Sequence, residues 1–191
     1  MANAQRVDER QAIINGICVD DLRALIETVK QDARMGLTRW TVTSTWQGRT
    51  HIRSEVGPFR IGAKVVERPF ALDIDEPAEL GGGNAYPNPQ EHLIAALNAC
   101  MMVGYVTLCA LQGIALEKLE IQTEGDIDLR GFLGLDDTIL AGYKSLNSTV
   151  KIKGGASEEQ FAKIHGMVML TSPNYYNITR AVALRSTLLV E

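Results

Sequence analysis

The chain has 191 residues, 46% hydrophobic and 22% charged, with a formal net charge of −4. That suits one sizeable globular domain, or one domain plus an extension. No basic cluster occurs, so nucleic acid and anionic membrane surfaces are not expected partners. Residues 1–9 are polar and lack the apolar stretch of a signal peptide. The three cysteines, Cys18, Cys100 and Cys109, do not make a disulfide framework, and a reducing, cytoplasmic setting is expected.

Residues 1–36 read as a helical extension distinct from the rest of the chain. Asp20 is placed to cap a helix with Leu22, Leu25, Ile26 and Val29 on one face, and Gly36 to close it. Cys18 falls in the short link 15–18 before that cap. The apolar stripe needs cover, so the segment is expected to pack on the main domain or on a second subunit.

From 37 to 75 the pattern is that of strands. Trp40, Val42 and Ser44 alternate with Thr41, Thr43 and Thr45. Trp46-Gln47-Gly48-Arg49 is a predicted hairpin turn, with 50–56 the returning strand. Gly57-Pro58 breaks the chain, and further strands are expected in 59–66 and 68–75. Residues 75–84 form a glycine-rich loop. Without a GxxxxGK[ST] or GxGxxG pattern, Gly81, Gly82 and Gly83 indicate tight backbone geometry rather than a phosphate cradle.

The central helix has well-marked ends. Asn88 is an N-cap, Pro89 fits the first helical position, and Glu91 completes a capping box. Gly113 supplies the left-handed end. Nearly every position from 93 to 111 is apolar, which predicts a helix buried all round. Its length also meets that of a bilayer span, about 20 residues. Asn98, Gly104 and Thr107 interrupt the run and no Lys/Arg cluster flanks it, so a core helix is expected.

Beyond it, 116–129 reads as a long strand bent at Gly125, with Leu119, Ile121, Ile127 and Leu129 apolar. A loop with a helical turn is expected over 131–145, then a strand at 148–153. Ser157 and Gln160 form a second capping box, before a helix burying Phe161, Ile164 and Val168. Thr171-Ser172-Pro173 starts a further helical turn, and 181–190 is a predicted final strand. The fold class is α+β, mostly antiparallel strands with helices stacked on one face.

Cys100 and Cys109, taken alone, read as small core residues. They lie on opposite sides of the helix and roughly 13 Å apart along it. A disulfide between them would need Cα atoms within about 7 Å. His51, His92 and His165 have no metal-ligand spacing, so no metal is expected. His92 lies about 80° round the helix from Cys100, which disfavours a Cys-His dyad.

The segment Asp75-Glu76-Pro77, Gly81-Gly82, then Pro89, Glu91, Leu93, Ala96 and Cys100 resembles the signature of the OsmC family, which includes the organic hydroperoxide resistance proteins. The resemblance covers about residues 37–191, taken as an OsmC-like domain, and leaves 1–36 outside it. It implies a homodimer whose sheets intertwine around the long helices. It also implies reduction of organic hydroperoxides by a thiolate on the central helix, with no metal, flavin or haem.

Cys100 matches the family's reacting cysteine, and Arg49, or alternatively Arg53, the arginine that supports it. Two positions depart. The family's resolving cysteine precedes a proline, and here that place holds Ser172, which cannot form a disulfide. The family glutamate falls at Gln90, which can hydrogen-bond but not act as a base; its neighbour Glu91 is assigned to capping. An external thiol, or Cys18, would then have to resolve oxidised Cys100. Met101, Met102 and Tyr105 favour a lipophilic peroxide. The alternative is a non-catalytic dimeric binding protein for an apolar small molecule on the same scaffold. An acyl-transfer cysteine enzyme lacks a credible base.

Overall fold

Asn15 and Gly16 take positive φ, 53° and 78°, and close a two-residue hairpin between β1 (Ile13–Ile14) and β2 (Ile17–Cys18). Asn-Gly is the residue pair that such a turn favours, because both positions need left-handed backbone. The helical expectation for this stretch is thus corrected to a hairpin. The computed structural model describes residues 12–190, so the expectation for 1–11 lies outside the described residues. The chain forms two compact units, residues 1–93 and 94–191.

In the first unit, α1 (Val19–Gln31) begins directly after β2. Its N-cap position is Cys18 rather than Asp20, which sits in the first turn and complements the positive helix end there. Leu22, Ile26 and Val29 are half-buried as the stripe predicts, but Leu25 is exposed. Gly36 ends not α1 but a separate 3-10 turn, Ala33–Gly36, capped by Asp32.

Six strands come next: β3 (Thr38–Arg39), β4 (Val42–Gly48), β5 (His51–Val56), β6 (Phe59–Ile61), β7 (Lys64–Val66) and β8 (Ala71–Ile74). They form two antiparallel sheets, ordered β3-β6-β7 and β4-β5-β8. The period of two puts Val42, Ser44 and Trp46 opposite Val56, Ser54 and Ile52, with Leu72 and Ile74 beside them. That face is mostly apolar, yet Val42, Leu72 and Trp46 (68%) are exposed.

The glycine-rich loop is held from within by Asp75. Its buried carboxylate accepts from Thr50 Oγ1 at 2.6 Å and from the N–H groups of Glu76, Gly83 and Ala85. The Thr50 bond, with those backbone donors, lowers its pKa to about 2 against the opposing effect of burial. Gly81 takes φ 84°. At Gly82, a Cβ would lie 1.7 Å from the Glu76 carbonyl oxygen, a separation no side chain tolerates.

The long helix α2 (Pro89–Leu111) starts in the first unit and runs through the second. Its capping box is reciprocal: Asn88 N–H donates to Glu91 Oε2 at 2.7 Å and Glu91 N–H to Asn88 Oδ1 at 2.8 Å. At its far end Ile114 N–H bonds Cys109 O and Gly113 N–H bonds Ala110 O, a Schellman closure with Gly113 at φ 74°.

Within the second unit, Leu97, Met101, Tyr105 and Cys109 meet Ile114, Ile164 and Val168 in one core. Around it lie β9 (Leu116–Glu124), α3 (Leu129–Phe132), β10 (Asn147–Gly154), α4 (Glu158–Thr171) and α5 (Pro173–Thr179). β9 and β10 pair antiparallel, and Leu119, Ile121, Val150 and Ile152 pack on the core. Helix α4 approaches α2 closely at Gly104, where a Cβ would sit 3.3 Å from Val168. Ser157 and Gln160 make the predicted capping box.

Three expectations change here. First, α2 is not buried all round: Val103 is 66% exposed and Leu93 is also exposed. The helix is apolar and long enough to span a bilayer, but one side of it is a core helix packed on β9, β10 and α4. Second, the strand from 116 ends at Glu124. Gly125 passes so close to Leu146 and the Ser145 carbonyl that the chain leaves the ladder, and Leu129 opens α3 instead. Third, 181–190 is not a strand in this chain. It runs without regular structure, Leu184, Leu188 and Val190 exposed, and no strand pairs with it among the described residues.

Candidate active site

Cys100 lies at the start of the fourth turn of α2 and is half-buried. Seventy-two residues later α4 ends and α5 begins, and Ser172 serves both helices at that corner. Its N–H bonds Val168 O at 2.8 Å, closing α4, while its Oγ accepts from Tyr175 N–H and starts α5. Pro173 fits the first position of α5, where its missing N–H costs nothing.

Ser172 is only 4% exposed, and its O–H donates to Cys100 Sγ at 3.3 Å. So the two residues singled out at the reacting and resolving positions are in direct contact. Both bonding capacities of the hydroxyl are used, one as acceptor for the helix and one as donor to sulfur.

A residue not singled out from sequence braces this corner. Asn174 Nδ2 donates to Ala96 O at 2.9 Å. Ala96 O is the carbonyl that the Cys100 N–H faces in the α-helical ladder. Asn174 therefore ties α5 to the turn carrying Cys100. Nothing in the periodicity around 174 marks it, because its role exists only through this contact.

The other candidates lie in the first unit. Gln90 is half-buried in the first turn of α2, and Glu91 is committed to the cap. Arg49 is exposed at the tip of the β4–β5 hairpin, with φ 49°. Its carbonyl accepts from Trp46 Nε1 at 2.7 Å, which pins the turn. Arg53 is otherwise engaged: its guanidinium bonds Asp73 Oδ2 at 3.1 Å, and His51 Nε2 meets the other oxygen at 2.9 Å. These partners, His51 foremost, lower the Asp73 pKa. His92 is also occupied, its Nδ1 3.0 Å from Asn88 O.

Of the remaining thiols, Cys109 is wholly buried, and burial pushes its pKa up, the condition of an inert core cysteine. Cys18 is half-buried at the end of β2, in the first unit. The site in the second unit thus has one accessible sulfur, one hydroxyl on it, and a braced helix corner.

Comparisons with known proteins bear on the family and the fold. Residues 81–186, more than half of the chain, match the family model described as OsmC-like protein. No curated protein matches the chain. An OsmC-like protein from Mycoplasma pneumoniae has a similar structure, with a TM-score of 0.59 at 14% identity, over 75% of this chain and 89% of that one. An OsmC-like protein of unknown function from Vibrio cholerae O1 biovar eltor gives a TM-score of 0.54 at 14% identity, over 73% and 92%. An organic hydroperoxide resistance protein from Legionella pneumophila gives 0.49 at 19% identity, over 75% and 90%. The first two likenesses are of fold. The matched stretch runs from the glycine loop through Cys100 to beyond Ser172, and by that match the chain belongs to the OsmC-like family.

Proposed function

We propose that the chain reduces organic hydroperoxides through Cys100 as a one-cysteine peroxidase. The observation that carries this reading is the contact of Ser172 Oγ with Cys100 Sγ, on the helix that bears the family signature. The Cys100 thiolate attacks the peroxide oxygen. The O–O bond breaks, sulfur is oxidised to the sulfenate, and the departing alkoxide takes a proton and leaves as the alcohol.

Ser172 holds no sulfur, so it hydrogen-bonds the oxidised cysteine instead of resolving it. An external thiol then attacks the sulfenic sulfur, water leaves, and a mixed disulfide forms. A second thiol displaces Cys100 and carries off the disulfide. A reducing cytoplasm supplies such thiols. Arg49 is the cation assigned to the thiolate, brought to it in a homodimer. The exposed apolar residues Val103 of α2, Trp46 of β4 and Leu184 of the C-terminal segment support that assembly. Met101 and Tyr105, read from the sequence as favouring a lipophilic peroxide, are buried in the core and do not set the substrate.

The test is the mass of the protein after one equivalent of cumene hydroperoxide with dimedone present. One adduct on Cys100 within seconds, absent in Cys100→Ser, is the expected result. A disulfide between Cys100 and Cys18 would replace the external thiol by an internal one. No reaction at Cys100 would sink the peroxidase and leave the dimeric binding protein, which the serine at 172 and the glutamine at 90 also favour.

A further inference from the structure

Tyr105 lies five residues beyond Cys100 and projects about 140° away from it round α2. On that other side, residues of α2, β10 and the first half of α4 line a cavity of about 360 Å³. Val150, Ile152, Phe161 and Ala162 give it apolar walls, and Tyr105, His165, Ser148 and Glu158 are its polar members. Neither Cys100 nor Ser172 lines it. The size is at the small end of small-molecule sites, and apolar walls with a few convergent polar groups are their usual make-up.

The polar end is organised by one pair. The Tyr105 hydroxyl and His165 Nδ1 are hydrogen-bonded, and the rings stack with centroids 6.0 Å apart. Tyr105 is only 1% exposed, and burial pushes its pKa up to about 12, so the phenol keeps its proton. A buried O–H must donate. With the phenol donating, Nδ1 is the acceptor and the ring hydrogen lies on Nε2. The imidazole lining the cavity is thereby set as a donor. The one formal charge among the lining residues is the Glu158 carboxylate, which disfavours anions.

We propose that this cavity binds a small, mostly apolar molecule carrying one neutral hydrogen-bond acceptor, a carbonyl compound, with His165 donating to the acceptor. The site is separate from Cys100 and does not depend on the peroxidase reading. The Tyr105–His165 pair holds the donor ready before the ligand arrives, so little ordering is needed on binding.

The probes are acetophenone, benzoate and benzylamine, added to the full chain. The readout is the His165 ring nitrogens in long-range proton–nitrogen correlation spectra. Acetophenone is expected to shift the His165 signals saturably and benzoate to leave them in place; benzylamine, drawn to Glu158 but with no acceptor for His165, is expected to bind more weakly than acetophenone. His165→Ala, followed by ligand-observed titration, should weaken acetophenone by about fivefold, the worth of one neutral hydrogen bond. Ala162→Trp, at an exposed wall position that leaves the core alone, should abolish binding while circular dichroism stays unchanged. Cys100→Ser should bind as the parent does. Absence of a saturable shift with acetophenone, or its survival in Ala162→Trp, would overturn the site. Equal binding of benzoate or benzylamine would overturn the ligand class.

Discussion

At the scale of single residues, the decisive contact is between two side chains seventy-two positions apart. Ser172 Oγ sits 3.3 Å from Cys100 Sγ, close enough that a sulfur in its place needs only a small shift to reach bonding distance, about 2.05 Å. Ser172→Cys is therefore expected to convert the one-cysteine site to a two-cysteine one. After one equivalent of cumene hydroperoxide, mass spectrometry should show loss of two hydrogens and a cross-link between Cys100 and the introduced cysteine, with the dimedone adduct gone. A persistent adduct in that variant would show that the corner cannot close. Ser172→Ala, by contrast, removes the cap of α5 and costs about 1 kcal/mol of stability, measured by denaturant unfolding.

At the scale of elements, the loop before α2 shows why this chain places three glycines and an aspartate there. Gly82 lies against the Glu76 carbonyl, so Gly82→Ala must move backbone and is expected to cost ~3 kcal/mol or more in urea unfolding. A cost below about 1 kcal/mol would mean that the loop relaxes freely. Asp75 clamps the same loop through its charged form. Its folded pKa, about 2, lies below the ordinary aspartate value near 4. The unfolded chain then takes up the proton first as pH falls. The clamp's contribution is full above about pH 4 and lost as pH falls through about 2. Asp75→Asn should thus differ most from the parent at neutral pH, and the two stability curves should converge near pH 2. Parallel curves down to that pH would remove Asp75 from this role.

At the scale of the whole molecule, several apolar surfaces remain open in one chain. They are one side of α2 at Leu93 and Val103, the apolar face of β4-β5-β8, and the C-terminal segment. Few monomeric soluble proteins leave apolar faces of that extent to water. The homodimer proposed above is expected to cover them, since stable interfaces bury about 1,200–2,000 Å². Sedimentation velocity should give a single species at twice the 20.9 kDa chain mass. Val103→Glu places a charge on the exposed side of α2 without touching the core, and should shift that species toward the monomer. A parent protein that sediments as a monomer at micromolar concentration would remove the dimer, and with it the assignment of Arg49.

The sequence by itself determined whatever rests on local rules. The limits of α2 follow from Asn88, Pro89, Glu91 and Gly113, and the start of α4 from Ser157 and Gln160, because caps act within one helical turn. The alternation after Thr41 and from Leu116 marks strands, though not where the second one ends, and the run from Asp75 to Cys100 marks the family. The hairpin at Asn15-Gly16 is equally local, but the apolar stripe of the helix beside it masks the signal. What only the tertiary structure decided depends on distant neighbours. Ser172 on Cys100 and Asn174 on Ala96 are contacts across more than seventy residues. The end of β9 at Glu124 is set by the close pass of Gly125 against Leu146, and the irregular path of 181–190 by the want of a paired strand among the described residues. Tyr105 and His165, sixty residues apart, meet because Gly104 lets α4 approach α2. No periodicity encodes such pairs, since hydrogen bonding and packing between separate elements are fixed by the fold and not by local pattern.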